Sequence, residues 1–145
     1  MAKRAFQVVM TTGRTRTFKI SMSERCFRFK PDALPSHAPQ KPGVYEFVTF
    51  DAEGRSQVLY VGLALADTVL EALSKHWQGR CEPTAEQLFS AAKDVYFDYV
   101  AAADIESLDD LKDIAGALME AHKPRFNAGV PPASGRYASV RIEES

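Results

Sequence analysis

The sequence predicts a small α+β domain built on an antiparallel sheet, with extra strands at its N-terminus. Two observations carry this. From Val44 onward the elements read strand, strand, helix, helix, strand, helix, with no internal repeat. Apolar residues alternate in the strand segments and recur at three- and four-residue spacing in the helical ones. A chain of 145 residues, 46% apolar and 26% charged, suits one soluble domain with a modest core.

Taken in order, residues 6–10 and 17–20 flank the turn-prone Thr12-Gly13-Arg14 and read as a hairpin. Cys26 to Phe29 reads as a further short strand. Pro31, Pro35, Pro39 and Pro42 mark an extended connector rather than a helix. Val44 to Phe50 and Gln57 to Val61 are strands around the turn Asp51-Ala52-Glu53-Gly54. A two-residue loop there sets Tyr45 directly opposite Tyr60, rings on one face. A three-residue loop using Gly54 sends the two rings to opposite faces. The sequence leaves both registers open.

Asp67 or Thr68 caps a helix to about Gln78, with Val69, Leu73, His76 and Trp77 on one face. Pro83-Thr84 opens a second helix to about Ala92, and Val95 to Val100 is a strand. Ser107 starts a third helix, with Asp109 and Asp110 at the positive end of its dipole. Leu111, Ile114, Ala115, Leu118, Met119 and His122 form its stripe, and Pro124 ends it. Asp113 and Glu120 read as solvated. Residues 129–145 are a loop with a short closing strand at Tyr137 to Ile142. The organisation is thus basic strands and connector (1–41), central domain (42–128) and C-terminal segment (129–145).

Charge is unevenly placed. Residues 1–40 carry eight basic side chains against Glu24 and Asp32; with a net charge of −1, the remainder carries −7. A basic arm on an acidic body is one way to meet a polyanion, and the arm is where a nucleic-acid footprint belongs. A solvated basic face packed on its own acidic body is the other reading. No apolar run approaches the ~20 residues of a membrane span. The short Val8-Val9-Met10 run is no secretory signal, so a cytoplasmic location is expected. Cys26 and Cys81 lack CxxC spacing and read as reduced thiols; three scattered histidines make no zinc site.

Three short motifs carry the functional signal. Gly43-Val44-Tyr45 lies on the first strand of the central hairpin and Tyr60-Val61-Gly62 on the second. Lys123-Pro124-Arg125-Phe126-Asn127 follows the last helix. In this order the chain resembles the GIY-YIG endonuclease superfamily over residues 42–128. The resemblance implies phosphodiester hydrolysis with one divalent cation, Mg2+ or Mn2+. A tyrosine pair would position water or act as general base, an arginine would face the phosphate and a glutamate would hold the metal. Tyr45, Tyr60, His76 and Asn127 match that pattern as site residues. Leu70 or Ala72 stands in the arginine's place, Leu63 where relatives often have lysine, and Ala115 where the glutamate belongs. Lys75, Arg80, Arg14 and Arg16 are the cations left to meet a phosphate.

The expectation is a degenerate GIY-YIG-like domain that binds nucleic acid, DNA first, or a protein. Two alternatives stand beside it. One is an active metal-dependent endonuclease with relocated groups: Lys75, His76 or Arg80 on the phosphate, Glu71 or Glu120 on the metal. The other is a protein-interaction domain without nucleic acid.

Overall fold

The computed structural model describes residues 5–9 by their backbone and residues 14–145 in full. The described elements run β1 (Ala5–Val9), β2 (Thr15–Met22), β3 (Phe27–Arg28), α1 (Leu34–His37), β4 (Gly43–Phe50), β5 (Ser56–Ala64), α2 (Val69–Trp77), α3 (Ala85–Ala91), β6 (Tyr96–Ala103), α4 (Asp110–His122) and β7 (Ser139–Glu144). The strands form one mixed sheet in the order β1-β7-β2-β6-β4-β5. Consecutive on one edge of β6 are β2 and β3; β4 lies on its other edge.

The helices cover the sheet unequally. On one face α1, α2 and α3 enclose an aromatic core with Phe29, Tyr45, Phe47, Leu73, Leu88 and Phe97. On the other, α4 packs Leu111, Ile114, Ala115 and Leu118 against Phe18, Val44, Val61, Val140 and Ile142. Both short connecting helices are closed by capping boxes. Thr68 and Glu71 exchange side-chain and backbone bonds at α2, Thr84 and Gln87 at α3. No described helix is long and apolar enough to cross a membrane.

The N-terminal hairpin expected from the sequence does not form. The C-terminal strand β7 lies between its two arms, antiparallel to β1 and parallel to β2. Met10 and the turn residues Thr12 and Gly13 lie outside the described residues. The sheet is therefore mixed rather than antiparallel, and the closing strand is interior. Its burial explains the choice: Val140 and Ile142 are fully buried beside Phe18 and Ile20 under α4. The proline-rich connector also holds one helical turn, α1. Pro35 sits in its first turn, where a missing N–H removes no helical bond.

Register in the β4–β5 hairpin combines both expectations. Asp51 holds the loop: its Oδ1 accepts the N–H groups of Glu53 and Arg55, at 2.9 Å each. Gly54 takes the left-handed conformation, φ 80°, and the strands leave the loop in the three-residue register. A bulge at Leu59 then shifts the pairing by one residue. Tyr45 comes opposite Gly62 and Tyr60 opposite Phe47, so the tyrosines are diagonal neighbours on the same face.

Asp113, expected in solvent, is 1% exposed. Its carboxylate accepts from the Ser134 N–H at 3.0 Å and the Ser134 hydroxyl at 2.6 Å. One turn earlier, Asp110 accepts the N–H groups of Glu106 and Ser107 and pairs with Arg136. Residues 131–136 are thereby strapped along α4. Gly116 makes room for them: a Cβ there would overlap the Pro132 carbonyl oxygen. Glu120 is exposed, as expected.

Candidate functional site

Tyr45, Tyr60 and His76 converge beneath α2. The Tyr45 and Tyr60 ring centroids are 6.3 Å apart, and His76 lies 5.7 Å from the first and 5.4 Å from the second. Tyr45 projects across β5 and its ring covers the Gly62 backbone. A Cβ at Gly62 would overlap the ring, which gives the glycine of the second tripeptide a packing reason.

Hydrogen bonds fix the histidine's protonation. The Pro83 carbonyl, 2.8 Å from Nδ1, can only accept, so Nδ1 carries the proton. Nε2 is then an acceptor, and the Tyr45 hydroxyl donates to it at 2.7 Å. Burial lowers the His76 pKa and keeps the ring neutral. Burial raises the Tyr45 pKa, with Tyr60 adding to the shift, and Tyr60's rises for the same first cause. Both phenols stay protonated. Tyr45 is 3% exposed and His76 1%, so neither presents a free base to a substrate.

Cys81, which the sequence left as an isolated thiol, joins this cluster with Sγ 3.4 Å from His76 Nδ1. That nitrogen already donates to Pro83, so it cannot take the thiol proton. Burial pushes the Cys81 pKa up, outweighing the lowering by Lys75. Only a fold that brings Pro83 back over His76 reveals this neighbourhood; five residues of sequence separation do not.

The remaining site candidates are dispersed. Lys75 is bound to Asp67 at 2.6 Å. Arg80 is exposed beyond the end of α2. Arg16 pairs with Asp104 at 3.7 Å and lies on β2, which β6 separates from β4. Arg14 is exposed just before β2. Ala115 is fully buried in the α4-side core, on the sheet face opposite the tyrosines. Ala72 and Leu70 pack into the α2-side core. No group of three or more His, Cys, Asp or Glu side chains able to hold a metal occurs among the described residues.

Asn127 acts on the backbone. Its Nδ2 donates to Val61 O at 2.9 Å and its Oδ1 accepts the Val61 N–H at 2.8 Å. The Phe126 N–H adds a bond to Leu59 O at 3.1 Å. The turn after α4 thus clasps the outer edge of β5 beside Tyr60 and its bulge, satisfying groups that an edge strand leaves open. Asn127→Ala should cost about 1–3 kcal/mol, since both Val61 groups lose their partner. A urea midpoint together with faster exchange of the Val61 amide checks it; unchanged exchange would show that water replaces the clasp.

Neutral His76 makes stability depend on pH. Its folded pKa lies below the ordinary value of about 6.5, so the unfolded chain binds the proton more readily. The contribution is present above pH 6.5 and is lost as pH falls through the folded pKa. Urea midpoints of wild type should fall more steeply below pH 6.5 than those of His76→Gln. Parallel curves would assign the acid sensitivity elsewhere.

Comparison with family models, with curated proteins and with solved structures gives no match.

Proposed function

We propose that this chain is a GIY-YIG-like domain that has given up cleavage and serves as a nucleic-acid-binding module. The observation carrying the reading is the burial of Tyr45 and His76. The Tyr45 hydroxyl is spent on His76 beneath α2, and the position of the relatives' metal glutamate is an alanine buried on the opposite sheet face. The tripeptides and the Asn127 turn then persist for packing: Gly62 under Tyr45, Asn127 on Val61. Binding would rest on cations in the N-terminal part of the chain, since the acidic remainder repels phosphate.

A second reading, a protein-interaction domain without nucleic acid, is favoured by a different observation. Several cations of that N-terminal part are matched by carboxylates: Arg16 with Asp104, Arg28 with Asp94 and Lys30 with Asp32. The Arg28 and Lys30 pairs are exposed and hold their charges weakly, at about 0–1 kcal/mol each, so a polyanion can compete for them.

Incubation with Mg2+ or Mn2+ and plasmid, branched and single-stranded DNA is expected to leave the substrates intact, with binding that weakens as salt rises. Cleavage that disappears in Tyr60→Phe would instead establish a working nuclease with relocated groups. Absent binding at ~50 mM salt, where phosphate contacts are strongest, would favour the second reading.

A further inference from the structure

The C-terminal segment fills a slot that the rest of the chain shapes for it. Val140 and Ile142 of β7 are fully buried in one core with Phe18 and Ile20 of β2 and Ile114 and Leu118 of α4. Both ladder partners of β7 come from the N-terminal stretch. Ahead of β7, the Ala138 N–H donates to Arg14 O at 2.6 Å, Arg136 pairs with Asp110, and Ser134 binds Asp113. The Pro132 carbonyl lies over Gly116. None of these contacts involves the chain that leads into the segment.

That lead-in is a tether. The Asn127 clasp fixes its start on Val61, and Ser134 fixes its end on α4. Between described residues, no hydrogen bond involves 128–133. Pro132, Ser134 and Arg136 meet Gly116, Asp113 and Asp110 in turn, so the segment runs back along α4 against the helix direction. Gly129, at φ 82°, is the one residue of positive φ between the clasp and Ser134, within this reversal. A Cβ there would meet nothing within 4 Å, so conformation rather than crowding calls for glycine. Val130 and Pro131 each precede a proline and are held toward extended backbone. Val130 is 93% exposed.

We propose that the partner this fold accepts is a second copy of the chain, with residues 131–145 exchanged between the two about a hinge at Ala128–Val130. Straightening Gly129 into extended backbone undoes the reversal and sends the segment outward, while Asn127 stays on Val61. The slot selects its occupant. It takes Val140 and Ile142 in its core, the Ser134 hydroxyl on a buried carboxylate and the Pro132 carbonyl over a glycine. An identical segment meets all of these, so the exchanged dimer remakes the contacts of the closed chain. The dimer adds a two-fold contact between hinges, where Val130 of each copy gains apolar cover. Because two chains must meet, its population grows with protein concentration.

The test compares the full chain with its Gly129→Val and Gly135→Val variants by size-exclusion chromatography with light scattering, after refolding at micromolar to millimolar concentration. Both glycines have φ 82° and open space for a Cβ, but Gly135 lies inside the exchanged segment and keeps its conformation in both forms. The two variants should lose similar thermal stability. Gly129→Val alone should raise the dimer association constant, by at least about tenfold, because a left-handed valine disfavours the closed hinge in each copy. Equal dimer fractions in the two variants overturn the hinge. Monomer alone in all three chains at the highest concentration overturns the exchange. A second measurement keeps the wild-type hinge and uses Thr17 and Arg141, partners in the parallel ladder. Thr17→Cys with Arg141→Cys, in a Cys26→Ser/Cys81→Ser background and oxidised after refolding, should link the dimer between chains, giving a reducible dimer on a denaturing gel. A dimer that the gel resolves into monomers is a surface association and overturns the proposal.

Discussion

Alanine at Asp113 will lower the unfolding free energy by about 2–4 kcal/mol, because a buried charged acceptor is removed and the Ser134 N–H and hydroxyl are left without it. A domain of this kind is stable by only about 5–15 kcal/mol, so the loss is large. Its reach exceeds one contact. Ser134 fixes the strap that leads into β7, and β7 is the strand on which both β1 and β2 depend. Amide exchange should therefore quicken along Ser139–Glu144 as well as at Ser134. Asp113→Asn, which keeps one acceptor oxygen, should fall between wild type and alanine. A urea midpoint unchanged in Asp113→Ala would mean that Asp110 and Arg136 hold the strap without it.

Gly62→Ala should be comparably costly. The added methyl overlaps the Tyr45 ring, which is enclosed by Phe47, Tyr60 and His76. Overpacking a filled core costs about 1–3 kcal/mol. If the ring moves to relieve it, the Tyr45 hydroxyl leaves His76 Nε2, and the unsatisfied pair adds about 1–3 kcal/mol. The His76 ring resonances by NMR distinguish the two routes, since only the second alters the imidazole's hydrogen bond. Double substitution with Tyr45→Phe should be less than additive if the hydroxyl is already displaced. Wild-type stability in Gly62→Ala would show that the ring has room the geometry denies it.

Much of the central domain was legible because its signals are local. Thr68 and Thr84, each with a side-chain acceptor three residues on, mark the starts of α2 and α3 in the sequence itself. Pro124 marks the end of α4, and alternation marks β4, β5 and β6. The bulge at Leu59 was not legible, since an extra residue in one strand leaves no trace in alternation until its partner is known. Nor was the burial of Asp113, because its partner is 21 residues away in an irregular loop. The N-terminal pairing failed for a related reason. Sequence neighbours are the default partners of strands, yet Ala5 pairs with Glu143 at the far end of the described chain.

The candidate site divides along the same line. Tyr45, Tyr60 and His76 were found by motif and do come together. Their chemistry was not visible, because it depends on the Pro83 carbonyl, which sets the tautomer, and on burial, which keeps all three neutral. Asn127 was found as a motif residue, but its contact is with strand backbone, which no residue-type pattern reports.

The place of β7 also bears on how the chain is made. Strands β1 and β2 precede everything else, yet the strand that joins them is the last of the described elements to leave the ribosome. Until then β1 has no ladder partner among the described strands, and β2 has β6 on one side only. Two open strand edges must wait through the synthesis of the whole central domain, and unpaired edges of that kind invite pairing between nascent chains. The sheet is completed by its most distant pairings, a topology that folds slowly for its size. Placing the closing strand in the middle of the sheet thus leaves the earliest described strands without their ladder partner until the end of synthesis.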